Sequence, residues 1–139
     1  MNLSLKKIAS ILNAKEIGNT NDLEIDSISI DSRSLQNNEK TLFFALAGIN
    51  NDAHIYLKDL IGKGVSNFVV THIPYGLEGK ANFLVVNNTL EALQKTASYY
   101  RSLFSFPIIG LTGSNGKTIV KEWLNFLLSP DYNIIRSPK

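Results

Sequence analysis

The stretch IIGLTGSNGKTIVKEWLNFLL, Ile108 to Leu128, constrains this chain more than any other, because an apolar run leads into three glycines, a Lys-Thr pair and a helix-period sequence. A phosphate group concentrates negative charge and acceptor oxygens. Backbone N–H groups that glycine lets come close, at the positive end of a helix, hold it best. Gly113 and Gly116 let the backbone wrap, Lys117 can reach the β- and γ-phosphates of a nucleotide, and the Thr118 hydroxyl can reach Mg²⁺. The generic pattern G-x-x-x-x-G-K-[ST] has its first glycine where this chain has Leu111, so only G-x-x-G-K-T remains, in the expected strand-to-helix setting. The bland reading is a glycine turn with an incidental Lys-Thr. Ile108 to Leu111 is expected to be a short buried strand and "NII", Asn133 to Ile135, the start of another. Val120, Trp123, Leu124 and Leu127 share a helix face, so Trp123 reads as core rather than as a base-stacking platform.

Upstream, the periodicity alternates. Leu5, Ile8, Ala9 and Leu12 recur at helical spacing behind Ser4, a natural N-cap, which predicts a helix from Ser4 to Asn13. Ile28 and Ile30 alternate with serines as in a half-buried strand, and TLFFALAG is an apolar run that ends at Gly48. Between them DSRSLQNNEK is polar and turn-like. Tyr56, Leu57, Leu60 and Ile61 make a second helical stripe that Gly64 can end. SNFVVT and NFLVV read as strands separated by the loop THIPYGLEGKA, in which His72 has no partner pattern and reads as a loop residue. Asn88 with Glu91 resembles a capping box, and Leu90, Leu93, Ala97, Tyr100 and Phe104 follow at helical steps. Pro107 then marks a boundary between residues 1–106 and 107–139. Strands alternating with helices make the fold class α/β.

Composition excludes several functions. Fourteen Lys and Arg against 12 Asp and Glu give a formal charge of +2 without a dense basic run, so nothing tracks a nucleic-acid backbone. With no cysteine, disulfides, thiol nucleophiles and Cys-ligated metals drop out, and a reducing cytoplasm is compatible. The N-terminal MNLSLKKIASILN is broken by Lys6, Lys7 and Ser10, and no run nears the about 18 apolar residues of a membrane span.

TGSNGKT, Thr112 to Thr118, resembles the ATP loop of the Mur ligase family, T-G-[ST]-x-G-K-[ST], including its departure from the generic pattern. DSRSLQNNEKTLFFALAGINNDAH, Asp31 to His54, resembles that family's N-terminal domain: D-S-R, an L-F-x-A-L-x-G strand, then D-[AG]-H. The two motifs occur in family order and cover essentially the whole chain. Within the family, D-A-H at Asp52 to His54 is more similar to the members that add D-alanyl-D-alanine than to those that add a third amino acid, diaminopimelate or lysine. The C-terminal segment from Thr118 further resembles the form fused to an alanine racemase, which would bring pyridoxal phosphate.

The resemblance implies a UDP-sugar-binding domain over 1–106 and the truncated start of a central ATPase over 107–139. The fragment would be catalytically incomplete. It implies a bacterial cytoplasmic ligase of peptidoglycan synthesis that uses ATP and Mg²⁺ to join UDP-N-acetylmuramoyl-tripeptide to D-alanyl-D-alanine through an acyl phosphate. Thr112, Gly113, Ser114, Asn115, Gly116, Lys117 and Thr118 would hold ATP, with Lys117 catalytic and Thr118 on Mg²⁺. Ser32, Arg33, Asn51, Asp52 and His54 would contact the UDP-sugar. Alternatives stay open: Asp31 and Ser32 can form a turn with Arg33 paired locally, and Asp52 can simply cap the next helix. A folylpolyglutamate synthase shares the ATP loop but has no job for the D-S-R to D-A-H block, and a non-catalytic nucleotide-binding module is the further rival.

Overall fold

A computed structural model describes residues 3–20, 23–33, 35, 39–48 and 51–138. The chain divides into two compact units, Met1–Phe104 and Ser105–Lys139. Parts of the polar segment read as a turn (34 and 36–38) and of the D-S-R to D-A-H block (49 and 50) lie outside the described residues.

In the first unit, α1 (Leu5–Leu12) forms where its stripe demands, with Leu5, Ile8, Ala9 and Leu12 buried. The Ser4 hydroxyl accepts from Lys7 N–H at 3.2 Å, a cap worth about 1 kcal/mol, and Asn13 ends the helix in the left-handed region at φ +50°. Two elements too short to carry a pattern flank it. They are β1 (Leu3–Ser4) and its antiparallel partner β3 (Glu24–Ile25).

The main sheet contains β2 (Lys15–Ile17), β4 (Ser27–Ser29), β5 (Thr41–Phe44), β6 (Asn67–Val70) and β7 (Asn82–Val85), in the order β2-β7-β6-β5-β4. The last four are parallel, and β2 adds antiparallel to β7. Every residue of β5 and β6 is buried, as a parallel sheet covered on both faces requires. The period of two sorts them. Leu42, Phe44, Val69 and Leu84 pack with α1 and with Ala92, while Phe43, Ala45, Phe68, Val70 and Phe83 pack with Leu57 and Leu60. Leu57 and Leu60 belong to α2 (Leu57–Gly62), which a 3₁₀ turn, Ala53–Tyr56, introduces. Gly64 follows at φ +91°. Ile28 is half-buried in β4, but Ile30 lies past the strand and is exposed.

At the opposite sheet edge from the strand C-termini, an amide chain fixes register. Buried Asn67 donates to Glu39 O at 2.9 Å and accepts from Asn82 Nδ2 at 3.0 Å; Asn82 Oδ1 in turn accepts from Asn19 N–H at 2.9 Å. Gly18, at φ +107°, has no room for a side chain, since a Cβ would come within 2.7 Å of Asn82 Oδ1.

Helix α3 (Thr89–Ser102) starts where the capping box places it, with Asn88 Oδ1 accepting from Leu90 and Glu91 N–H. Its buried face differs from the expected stripe. Thr89, Ala92 and Thr96 face inward, while Leu90 and Ala97 are exposed. Small residues let the helix axis come close to the sheet, and Thr96 spends its hydroxyl on Ala92 O, so the larger Leu93 and Tyr100 only flank the contact.

The second unit corrects three expectations. Ile108 to Leu111 forms no strand and is exposed, and Asn133 to Ile135 forms none either. A strand needs a hydrogen-bonding neighbour, and none is present among the described residues. Helix α4 (Lys117–Leu128) does form, but it buries no residue, and Trp123 is 66% exposed rather than core.

Candidate functional site

Parallel strands β4, β5 and β6 deliver their C-terminal ends to one sheet edge, where open α/β sheets gather ligand groups. Ser32 and Arg33 follow β4 there, and Asn51, Asp52 and His54 follow β5. After β5 the chain turns back on itself. Gly48 N–H donates to Asn51 O at 2.8 Å and Ala53 N–H to Leu46 O at 3.0 Å.

Asp52 caps the 3₁₀ turn, accepting from His54 N–H at 3.0 Å, and the same oxygen lies 2.5 Å from His54 Nδ1. On the far side of the ring, Thr71 N–H donates to Nε2 at 3.0 Å. A nitrogen that accepts a backbone N–H carries no proton, so the proton sits on Nδ1 and points at Asp52. These His54 bonds, the backbone one first, hold the Asp52 carboxyl below its ordinary range. His72 stacks on His54 with ring centroids 4.4 Å apart and planes 11° apart, and its Nδ1 lies 3.1 Å from Thr71 Oγ1.

Thr71 and His72 are therefore members of this cluster that sequence reasoning missed, and His72 is more than a loop residue. The available signal was their place directly after a fully buried strand run. Asp52 does cap the turn, as the bland alternative had it.

Arg33 is paired locally as well. Its Nε and Nη2 donate to the two Asp31 oxygens at 2.9 Å each, and its backbone N–H donates to Asp31 Oδ1 at 3.0 Å. The guanidinium side-chain bonds lead the causes that hold the Asp31 carboxyl at about 2. Since the folded value lies below the ordinary 3.8, this pairing favours the folded form above pH 3.8, and its contribution is lost as pH falls to about 2. Arg33→Gln is expected to bring the Asp31 titration most of the way back to 3.8, read from its carboxyl carbon by NMR. A titration still near 2 would mean that the turn, not the guanidinium, sets it. A shallow groove of about 330 Å³ runs beside Ile28, Ile30, Asp31, Leu35 and Thr41; it reaches Asp31 but is lined by none of Ser32, Arg33, Asn51, Asp52 and His54.

In the second unit, Thr112 to Thr118 is exposed, with Gly113 at φ +145° and Gly116 at φ +79°. Gly116 precedes α4 and no side chain caps the helix, so its first N–H groups face outward unsupplied. Lys117 Nζ donates back to Gly113 O, and Thr118 sits in the first helical turn. A second groove, of about 310 Å³, lies along Lys121, Glu122 and Arg136 and includes none of the loop residues. Among the described residues no group of three His, Cys, Asp or Glu could hold a metal ion, and no helix is long and apolar enough to cross a membrane.

No protein-family model matches the chain. It is 37% identical over 132 residues to the UDP-N-acetylmuramoyl-tripeptide–D-alanyl-D-alanine ligase of Rickettsia prowazekii (strain Madrid E), covering 91% of this chain and 29% of that protein. The fold matches the crystal structure of MurF from Acinetobacter baumannii with a TM-score of 0.80 and 27% identity, over 94% of this chain and 28% of that one. The likeness is to Mur ligases, over part of their length. A diaminopimelate-adding relative, the UDP-N-acetylmuramoyl-L-alanyl-D-glutamate–2,6-diaminopimelate ligase of Clostridioides difficile (strain 630), is 34% identical over 113 residues, covering 80% of this chain and 22% of that protein. The chain thus spans less than a third of the ligases it matches.

Proposed function

We propose that this chain is the UDP-sugar-binding domain and the opening of the ATP-binding domain of a ligase that adds D-alanyl-D-alanine to UDP-N-acetylmuramoyl-tripeptide. The observation that carries the reading is a likeness to such ligases, in sequence and in fold, that runs through both units. Residues 1–106 take the first role and 107–139 the second.

On this reading the sheet edge of β4 and β5 holds the UDP-sugar through Ser32, Arg33, Asn51 and Asp52, while His54, expected among the contacts, lies buried beneath them with both ring nitrogens already bonded. Arg33 spends Nε and Nη2 on Asp31, which fixes its plane and leaves the rest of the fork for a diphosphate. The exposed loop Thr112–Thr118 with its uncapped helix start suits the phosphates of ATP. Lys117 would exchange Gly113 O for phosphate oxygens.

In the proposed reaction the tripeptide's terminal carboxylate attacks the γ-phosphorus and ADP leaves. The amine of D-alanyl-D-alanine then displaces phosphate from the acyl phosphate and loses a proton as the amide forms. Lys117 and the loop amides would neutralise charge on the transferred group, which is most of what phosphoryl transfer asks of a protein. Thr118 supplies one hydroxyl, and among the described residues no group of three His, Cys, Asp or Glu stands ready to hold an ion, a donor set that fits Mg²⁺ arriving with ATP rather than a resident ion. When bound, Mg²⁺ would neutralise phosphate oxygens. The cytoplasmic peptidoglycan-synthesis setting, and a fused racemase with its pyridoxal phosphate, belong to the same proposal. A second reading, addition of the third amino acid, draws on the diaminopimelate-adding relative; D-A-H at Asp52 to His54 favours the first.

Calorimetry on the 139-residue chain tests the assignment. Measurable binding of UDP-N-acetylmuramoyl-tripeptide is expected, with feeble ATP binding because α4 has no supporting sheet among the described residues. Tight ATP binding without affinity for the UDP-sugar would overturn it.

A further inference from the structure

We infer that His54 is a positioning residue: its ring latches the β5 turn, through Asp52, to the end of β6, and so shapes the sheet edge for a nucleoside diphosphate. The inference rests on the UDP-sugar reading of that edge and adds how His54 serves it.

The geometry points this way because His54 has nothing left to offer a ligand. Its side chain is 3% exposed, Nδ1 is committed to Asp52, and Nε2 accepts from Thr71 N–H. One face of the ring is covered by His72. Asp52 is the opposite case, with its side chain 47% exposed and an acid held in its charged form by His54. Asp52 and Asn51 belong to the turn closed by the Gly48 to Asn51 and Ala53 to Leu46 bonds. Thr71 lies 17 residues on from His54, at the end of a different strand. A buried imidazole bonded at both nitrogens thus fixes two exposed, ligand-facing residues to the rigid centre of the sheet. Held groups bind without first being ordered, which is where such a latch acts.

The test uses three substitutions, with UDP as the probe and amide hydrogen exchange as the ligand-independent readout. In His54→Ala the Gly48 and Ala53 amides are expected to exchange at least tenfold faster, while Ala45 N–H, bonded to Val69 O in the sheet, keeps its protection. UDP affinity is expected to fall about tenfold. His54→Gln can put a carboxamide oxygen near Thr71 N–H and should restore protection at Thr71 alone. His54→Asn can donate to Asp52 but leaves Thr71 N–H without its acceptor, so the Thr71 amide should exchange faster. These two carry the test if the alanine variant does not fold. Unchanged exchange at Gly48 and Ala53 would overturn the latch. Faster exchange with UDP affinity intact would overturn its role in shaping the edge. A native chain that binds no UDP would instead sink the UDP-sugar reading, and the exchange data would still decide whether the latch exists.

Discussion

Replacing Phe68 by alanine is expected to remove a large part of the stability of Met1–Phe104. Phe68 is fully buried at the centre of β6, stacked on Phe83 with centroids 5.6 Å apart and edge-on to Phe43 at 6.2 Å. Truncating a core phenylalanine costs about 3–5 kcal/mol, through lost burial and the cavity left behind. A domain of this size has only about 5–15 kcal/mol in hand. Urea unfolding followed by circular dichroism should show the midpoint fall with little change in slope. A loss below about 1 kcal/mol would mean that Phe43, Phe83 and Leu60 close the gap, contrary to the rigid packing described above. Because β6 leads directly into Thr71 and His72, the candidate site should fail with the core.

Asn67→Leu is the second large effect, and its cause is different. Leucine nearly fills the same space, so little cavity forms, but Asn82 Nδ2 loses its acceptor, while Glu39 O, which is exposed and keeps Ser66 Oγ as a donor, loses only one of two partners. A buried polar group left without a partner costs about 1–3 kcal/mol, so a loss of about 2 kcal/mol is expected, carried by the Asn82 amide. The same urea experiment measures it. Hydrogen exchange should localise the damage to the ladders of β6 with β5 and β7. A neutral substitution would show that water replaces the amide and that side-chain packing alone sets the strand register.

What the sequence revealed follows the range of the interactions involved. The α1 face was legible because its four core positions lie within two turns, and the capping residues Ser4 and Asn88 act on amides two or three positions away. Asp31 with Arg33, and Asp52 with the start of the 3₁₀ turn, are local in the same way, so both pairings are legible from residues two positions apart. His72 could not be seen as a partner of His54, because only the parallel pairing of β5 with β6 brings the two rings together. The α3 face was misjudged because hydrophobicity favours Leu90 and Ala97, whereas close approach to the sheet selects the small Thr89, Ala92 and Thr96. β1 and β3 have two residues each, too few for alternation to register. Around the glycine loop Gly113–Gly116 the sequence conveyed the helix correctly and its packing wrongly, since burial of Trp123 needs neighbours that no periodicity supplies.

The uncovered side of α4 has a consequence for these 139 residues when they are produced by themselves. Ile119, Trp123, Phe126 and Leu127 present to water the kind of greasy, aromatic surface that a nascent chain shows before its partners arrive. Chaperones and proteolytic quality control sample such surfaces. For these 139 residues expressed alone, turnover would then be governed by α4, however well the sheet that precedes it is built.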